Sequence, residues 1–322
     1  MKALILGAAG FVGAYAIRQF AEGCGWDTHA AKMKQESIPE ALCGLCTVHD
    51  FDLLDADGMC TLLQEIQPDL ILHLAAQSSV ALSWKQPQLT VDVNIKGTVN
   101  LLEAVRALPQ CPRILLVGSS EEYGALKPEQ MPVSEDTPLH PANVYAATKA
   151  AAEQLAALYY KAYGIPVLCV RAFNHIGCGQ STAFAVPDFC RQTAEIEAGL
   201  REAVIRTGNL SAKRDFTDVR DIVRAYAMLL EKGRAGEIYN VGSGKAIAVS
   251  DILEQIRSMS LVPFRTETDP ERLRPVDVPI VAADTAKLRQ DTGWEPQIPL
   301  ADTLRSILDA ARQHLKENDL AC

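Results

Sequence analysis

Tyr145 and Lys149 stand four residues apart in Asn143-Val144-Tyr145-Ala146-Ala147-Thr148-Lys149, which reads as the opening turns of a helix. At that spacing the phenol and the ammonium share one helical face, one above the other. A nearby ammonium favours the ionised phenol, moving tyrosine from its ordinary pKa of about 10 towards neutrality. Such a pair can pass a proton to or from a sugar or alcohol oxygen. Alone it is a weak signal, because Tyr-x-x-x-Lys falls by chance on many solvated helices. Ser119 strengthens it, lying in Gly118-Ser119-Ser120-Glu121-Glu122-Tyr123-Gly124 directly after the apolar run Arg113 to Val117. Chemistry in open α/β sheets gathers beyond the carboxyl ends of strands, where this serine falls. Its hydroxyl can hydrogen-bond the oxygen that the tyrosine protonates. By themselves Ser119 and Ser120 are equally suited to loop polarity or helix capping, and Glu121 and Glu122 to an acidic first turn.

A second constellation opens the chain. Lys2 to Leu6 is a short apolar run that ends in Gly7-Ala8-Ala9-Gly10-Phe11-Val12-Gly13, and Ala14 to Phe20 then has helical periodicity. Strand, glycine-rich turn and helix are the context in which glycines mark a dinucleotide site. Glycine lets backbone approach a pyrophosphate, and the helix start offers free amides and positive dipole. Gly7, Gly10, Phe11, Val12 and Gly13 are therefore cofactor-binding candidates. The second strand is expected over Asp27 to Ala31. It is followed by Lys32 and Lys34 rather than an acid, which suits a ribose 2′-phosphate and favours NADP(H) over NAD(H), though surface lysines would look the same. A third strand is expected over Val48 to Leu53, with Asp52 and Leu53 at its end near the adenine. Leu70-Ile71-Leu72-His73-Leu74-Ala75-Ala76 reads as a buried parallel strand, and its end, Leu74 with the small Ala75 and Ala76, leads out towards the cofactor.

The elements needed to hold these groups recur in order. Helices are expected over Asp55 to Gln67, Asn94 to Leu108, 143–163, Phe184 to Leu200 and Asp221 to Lys232, with strands at Val167 to Ala172 and Ala203 to Thr207 and a last central strand at Ile238 to Gly242. Lys213 to Val219 reads as an irregular charged segment, and residues 246–322 as carrying two helices. The fold class is α/β, a Rossmann-type doubly wound parallel sheet with a smaller, interwoven substrate domain. The expected division is 1–172 for the nucleotide domain, with 215–245 returning to it, and 173–322 for the substrate domain.

Composition narrows the function. The 322 residues are 48% hydrophobic, with a net charge of −9 from 31 basic and 40 acidic side chains. No global field favours nucleic acid. A mean hydropathy of +0.03, with no apolar run near a membrane span and no signal-peptide pattern at the start, gives the expectation of a soluble, cytoplasmic protein. Nine scattered cysteines suit reduced thiols. Cys43, Cys46, His49 and Cys60 lack zinc-ligand spacing, so no metal is expected.

Assembled, these residues resemble the extended short-chain dehydrogenase/reductase family from end to end: glycine turn, Leu-Ala-Ala strand, Asn94 helix, Ser119, Tyr145 and Lys149 fall in family order. The segments Arg171 to Gly177, Phe189 to Gly199, Gly208 to Asp221 and Asp269 to Pro279 are similar to the branch acting on GDP-sugars. The resemblance implies Ser119, Tyr145, Lys149 and Glu121 as the catalytic set. It also implies Ser79, Ser120, Asn174, Arg214, Arg272 and Arg274 as a substrate set, with Asn174 and Arg214 on the diphosphate and Arg272 and Arg274 near the nucleotide end. Guanidinium suits phosphate through its two-donor fork. The implied reaction is NADPH-dependent reduction of the C4 keto group of a GDP-4-keto-6-deoxy-hexose, giving a GDP-rhamnose or GDP-6-deoxy-talose type of product. The alternative is a redox-neutral GDP-mannose 4,6-dehydratase, with Glu121 removing the C5 proton. A 4-epimerase and a non-catalytic NADP-binding protein stand further off. A homodimer through helices 94–108 and 143–163 is implied by the family alone.

Overall fold

The computed structural model describes residues 1–272 and 278–320. Strands β1 (Lys2–Leu6), β2 (Asp27–Lys32), β3 (Thr47–Asp50), β4 (Leu70–His73), β5 (Arg113–Ser119) and β6 (Val167–Ala172) lie in one parallel sheet. Strands β7 (Asn174–Ile176), β8 (Val204–Thr207) and β9 (Lys213–Asp218) lie outside it, and β10 (Ile238–Val241) returns to complete it. The order β10-β6-β5-β4-β1-β2-β3 reverses direction at β1, the doubly wound pattern of Rossmann sheets. The central strands are apolar on both faces because helices cover both. Every residue of β4 and β6 is buried.

On one face pack α1 (Phe11–Arg18), α2 (Glu40–Cys43) and, from later in the chain, α9 (Val219–Lys232). This core also takes in Leu288 and Trp294. On the other face lie α3 (Ala56–Ile66), α6 (Gly97–Arg106) and α7 (Val144–Tyr163). A separate core joins α8 (Ala185–Glu197), α10 (Val249–Met259) and α12 (Leu300–Leu320) over β8 and β9. There β9 pairs with β7 and with β11 (Ala246–Ala248), and β8 pairs with β12 (Arg265–Thr268).

Several boundaries differ from the sequence expectation. β3 ends at Asp50, so Asp52 and Leu53 lie in the following turn, where Asp52 accepts from the Leu54 amide at 2.9 Å. β4 ends at His73, because the Leu74 and Ala75 amides both turn to the Leu6 carbonyl. The helix expected from Asn94 starts earlier. After α4 (Val80–Lys85), α5 (Pro87–Val91) runs through a wide turn at Asp92–Lys96 into α6. Lys213–Asp218 is a regular strand, and β10 is an edge strand. After residue 246 the described residues hold three helices, α10, α11 (Ala286–Thr292) and α12.

Candidate active site

The glycine turn is built as a dinucleotide site requires. Gly7 has φ +85°, open to glycine at no steric cost, and a Cβ there would lie 2.7 Å from the Ala75 nitrogen. A Cβ at Gly13 would lie 2.4 Å from the Ala8 carbonyl oxygen, so α1 sits directly on the turn. Gly10 caps α1 without a side-chain hydrogen bond, leaving the first-turn amides to an anion. These features fit a pyrophosphate. Val12 packs towards the core, while Phe11 stacks on His175 with centroids 6.1 Å apart. Leu74 and Ala75 pass directly against the turn. Lys32 ends β2 and is ion-paired to Asp50 at 2.5 Å.

Three elements bring the catalytic candidates together. Asn143 starts α7 by accepting from the Ala146 amide at 2.8 Å, the local device that sets the helix register. One turn in, the buried Tyr145 phenol lies beside the Ser119 hydroxyl at the end of β5, close enough for that hydroxyl to ease its ionisation. Lys149, a turn further and also buried, donates to the Val117 carbonyl at 2.8 Å. Buried Asn94 ties the β4 loop to this helix, bonding both backbone groups of Gln77 and donating to Thr148 at 2.9 Å. Thr148 in turn donates to the Tyr145 carbonyl at 2.8 Å.

The electrostatics reverse one expectation. Burial pushes the Tyr145 phenol up to about 12, and Glu122 and Glu121 push the same way, while the Ser119 hydroxyl opposes them. Burial pulls Lys149 down to about 8, against the charge of Glu122. Within the polypeptide the ammonium is turned to the Val117 carbonyl and does not lower the tyrosine; desolvation outweighs the four-residue spacing.

Glu121 lies half-buried beside Tyr145, and its Oε2 accepts from the Asn143 side chain at 3.2 Å. Ser120 opens the short turn after β5. Ser79 caps α4 by accepting from the Leu82 amide at 3.1 Å. Asn174 is exposed at the start of β7. Arg214 is half-buried on β9 and donates to the Val278 carbonyl at 2.6 Å. Arg272 approaches the chain at Gly208, where a Cβ would lie 2.7 Å from its carbonyl oxygen, but its guanidinium is committed to the buried Asp188. Arg274 lies outside the described residues.

What the sequence reading passed over lies behind these groups. Arg171 on β6 makes a two-point ion pair with Glu153 on α7 at 2.9 and 2.7 Å, donates to the Glu135 carbonyl, and covers the Tyr123 ring at 4.7 Å. Glu122 is fully buried next to them. A cavity of about 10 Å³, room for the centre of roughly one water, is lined by His73, Asn94, Lys149 and Glu153. The only sequence signal was the second glutamate of Ser119-Ser120-Glu121-Glu122, and a doublet of acids in a turn ordinarily faces solvent. Among the described residues no group of three or more His, Cys, Asp or Glu could hold a metal ion.

A proton-donating phenol beyond the same carboxyl edge of the sheet as a glycine-rich dinucleotide turn defines the extended short-chain dehydrogenases/reductases, and the fold places the chain in that class. More narrowly, it belongs to the GDP-mannose 4,6-dehydratase family, whose model matches residues 4–307. Among curated relatives, GDP-6-deoxy-D-mannose reductase of Pseudomonas aeruginosa is 35% identical over 84% of this chain and 88% of its own. GDP-mannose 4,6-dehydratase of Yersinia enterocolitica is 29% identical over 98% and 97%. Among solved structures, RMD from Pseudomonas aeruginosa complexed with NADPH superposes with TM-score 0.86 at 32% identity, covering 97% of this chain and 98% of that one.

Proposed function

We propose that the protein is an NADPH-dependent oxidoreductase that reduces the C4 keto group of a GDP-4-keto-6-deoxy-hexose. The observation that carries the reading is the meeting of the buried Tyr145 phenol with Ser119 and Lys149 at the carboxyl edge of the sheet, beside the glycine turn. A protonated phenol there can give its proton to a carbonyl oxygen as hydride reaches the carbon. The 35% identity to a GDP-6-deoxy-D-mannose reductase and the likeness to a solved NADPH complex support the same direction.

The bound cofactor supplies the hydride for C4. Tyr145 gives its proton to the C4 oxygen, Ser119 orients that oxygen, and Lys149 holds the nicotinamide ribose. Gly7, Gly10, Phe11, Val12 and Gly13 receive the pyrophosphate. Lys32 takes the 2′-phosphate, and Asp52 and Leu53 flank the adenine. Asn174 and Arg214 bind the substrate diphosphate, Arg272 and Arg274 serve the nucleotide end, and Ser79, Ser120 and Glu121 position the sugar. Residues 1–172 with 215–245 form the cofactor domain and 173–322 the substrate domain. The protein works in the cytoplasm as a homodimer. Exposed Leu89 and Val91 on α5 and Leu158, Tyr160 and Tyr163 on α7 offer the apolar surface for that pairing. Among the described residues no helix is long and apolar enough to cross a membrane.

A second reading, a redox-neutral 4,6-dehydratase, has its own support. Glu121 is held by Asn143 beside Tyr145, where a base for the C5 proton would sit. The two part on one assay. The purified protein, given the 4-keto sugar nucleotide, should consume one NADPH per sugar; given GDP-mannose alone, it should yield no keto product. Glu121→Gln should lower reductase turnover by less than about tenfold, since no proton is removed at C5. Absence of NADPH oxidation, with keto-sugar formation from GDP-mannose that Glu121→Gln abolishes, overturns the reductase in favour of the dehydratase.

A further inference from the structure

Asp188, in the first turn of α8, is a buried carboxylate of the substrate domain to which the reaction above gives no part. Its side chain is 5% exposed. Oδ1 accepts from Arg191 Nη2 at 2.5 Å. Oδ2 accepts from Gln192 Nε2 at 2.7 Å and from Arg272 Nη1 at 2.5 Å. Gln192 lies one turn along the helix without exposed surface. It also donates to the Arg206 carbonyl at 3.1 Å and accepts from the Arg206 amide at 2.9 Å. The carboxylate is thus fixed between α8 and β8 before either arginine is counted.

Arg272 reaches it from 84 residues further on. It ends the short turn after β12. The Asp269 amide pins that turn to the Thr207 carbonyl at 2.8 Å, and the Arg272 amide returns to the Asp269 carbonyl at 3.0 Å. The Arg272 side chain is 38% exposed, with Nε 3.5 Å from the Asp269 carboxylate. Its Nη2 makes no hydrogen bond among the described residues. One edge of the guanidinium is therefore anchored on a buried acid, and the remaining donors are left for a ligand. A free arginine loses much rotamer freedom when it grips an anion, whereas one already anchored has lost that freedom on folding.

We propose that Asp188 is a positioning residue for the GDP moiety of the substrate: it holds Arg272 by one edge so that the open edge meets the nucleotide. Asp188 itself touches no ligand. Arg191 shares the carboxylate but also pairs with Glu195 on the same helix, and takes no part in the grip. The inference rests on the GDP-sugar reading above, which puts Arg272 at the nucleotide end.

The test reads GDP binding and needs no turnover. GDP is titrated by calorimetry into the NADPH-loaded wild type, Asp188→Asn, Arg272→Ala, their double variant and Arg191→Ala. Asparagine keeps the shape of Asp188 and removes the charge that Arg272 answers. Asp188→Asn and Arg272→Ala should each weaken GDP by about tenfold, the loss of roughly one charged hydrogen bond. The double variant should lose less than about threefold beyond either, because both changes break one chain of contacts. Arg191→Ala should stay within about threefold of the wild type, as a half-exposed pair should. With the 4-keto sugar nucleotide, Asp188→Asn should raise KM by the same factor as it weakens GDP, while kcat and NADPH affinity change less than about threefold. A merely structural role would lower the melting temperature and leave the KM of the folded enzyme alone, which overturns the proposal.

GDP affinity unmoved by Asp188→Asn but weakened by Arg272→Ala also overturns it and leaves the GDP-sugar reading standing. So do losses that multiply in the double variant to about a hundredfold. A wild type that does not bind GDP sinks that reading, and the inference with it. Should Asp188→Asn not fold, the crystal structure of the wild type with GDP decides. Arg272 must stay paired with Asp188 while its other nitrogens meet GDP, and an arginine that has left the carboxylate overturns the proposal.

Discussion

Replacing Arg171 by leucine should be among the most damaging single changes in the molecule. Its side chain is 4% exposed, and Glu153 and Glu122 beside it are 6% and 0% exposed. The substitution removes two charge-assisted hydrogen bonds at 2.9 and 2.7 Å, one to the Glu135 carbonyl at 3.0 Å, and the cation over Tyr123. It leaves two carboxylates in the interior with Lys149 as their one remaining cation. Removing one partner of a buried pair costs about 3–5 kcal/mol, a large part of the roughly 5–15 kcal/mol available to a fold. With a urea slope of about 3 kcal/mol per molar, the midpoint should drop by roughly 1–2 M. The sign with pH follows from the orphaned acids. Burial holds the folded Glu122 carboxyl above its ordinary value of about 4.3. Its contribution to stability is therefore fully present below that value and is lost as pH rises through the folded pKa. The deficit should thus be greater at pH 8 than at pH 5. Arg171→Leu combined with Glu153→Leu should recover more than half of it, because an apolar pair of similar volume is often no worse than a buried ion pair. Urea unfolding by circular dichroism at both pH values checks this. A single variant within about 0.5 kcal/mol of the wild type, or a deficit independent of pH, refutes the reasoning.

Tyr145→Phe should lower kcat by about 10²–10⁴ while NADPH still binds, since only the proton donor is lost; stopped-flow hydride transfer and fluorescence titration separate the two. Lys32→Ala should weaken NADPH by about tenfold and leave NADH nearly unchanged, the loss of roughly one charged hydrogen bond. Equal loss for both cofactors would place Lys32 in the fold of the β2–β3 edge through Asp50 and not at the 2′-phosphate.

The legible parts of the site were the local ones. Asn143 announces α7 three residues before the amide it caps, so the register of Tyr145 and Lys149 could be read from a single turn. The glycine turn was equally plain, since its steric demands are written in adjacent residues. Arg171, Glu153 and Glu122 come from three separate elements and meet only after β5, β6 and α7 have packed. No periodicity in any one segment could show that pairing. The direction of the Tyr145 shift was misread for a related reason. Spacing along a helix reveals a neighbouring ammonium, but burial on every side, which sets the pKa here, is a property of the whole fold. Lys213–Asp218 looked irregular because of its charges. In the structure Asp215 is buried and satisfied by the amides of Ser243, Gly244 and Ala283, so a charged residue occupies the inside of a strand.

The return of α9 and β10 to the first sheet has a consequence for synthesis on the ribosome. The face of the sheet above α1 is closed by Ile222, Tyr226, Leu229, Leu288 and Trp294. The Trp294 indole donates to the Asp221 carbonyl, and the Asp221 carboxylate accepts from the amides of Gln297 and Ile298. A nascent chain that has emerged only to β6 therefore carries a half-covered apolar sheet with an unpaired edge, and must be shielded until nearly the whole polypeptide has left the exit tunnel. Fragments ending near residue 172 should for the same reason be aggregation-prone, although they hold the whole glycine turn together with Ser119, Tyr145 and Lys149.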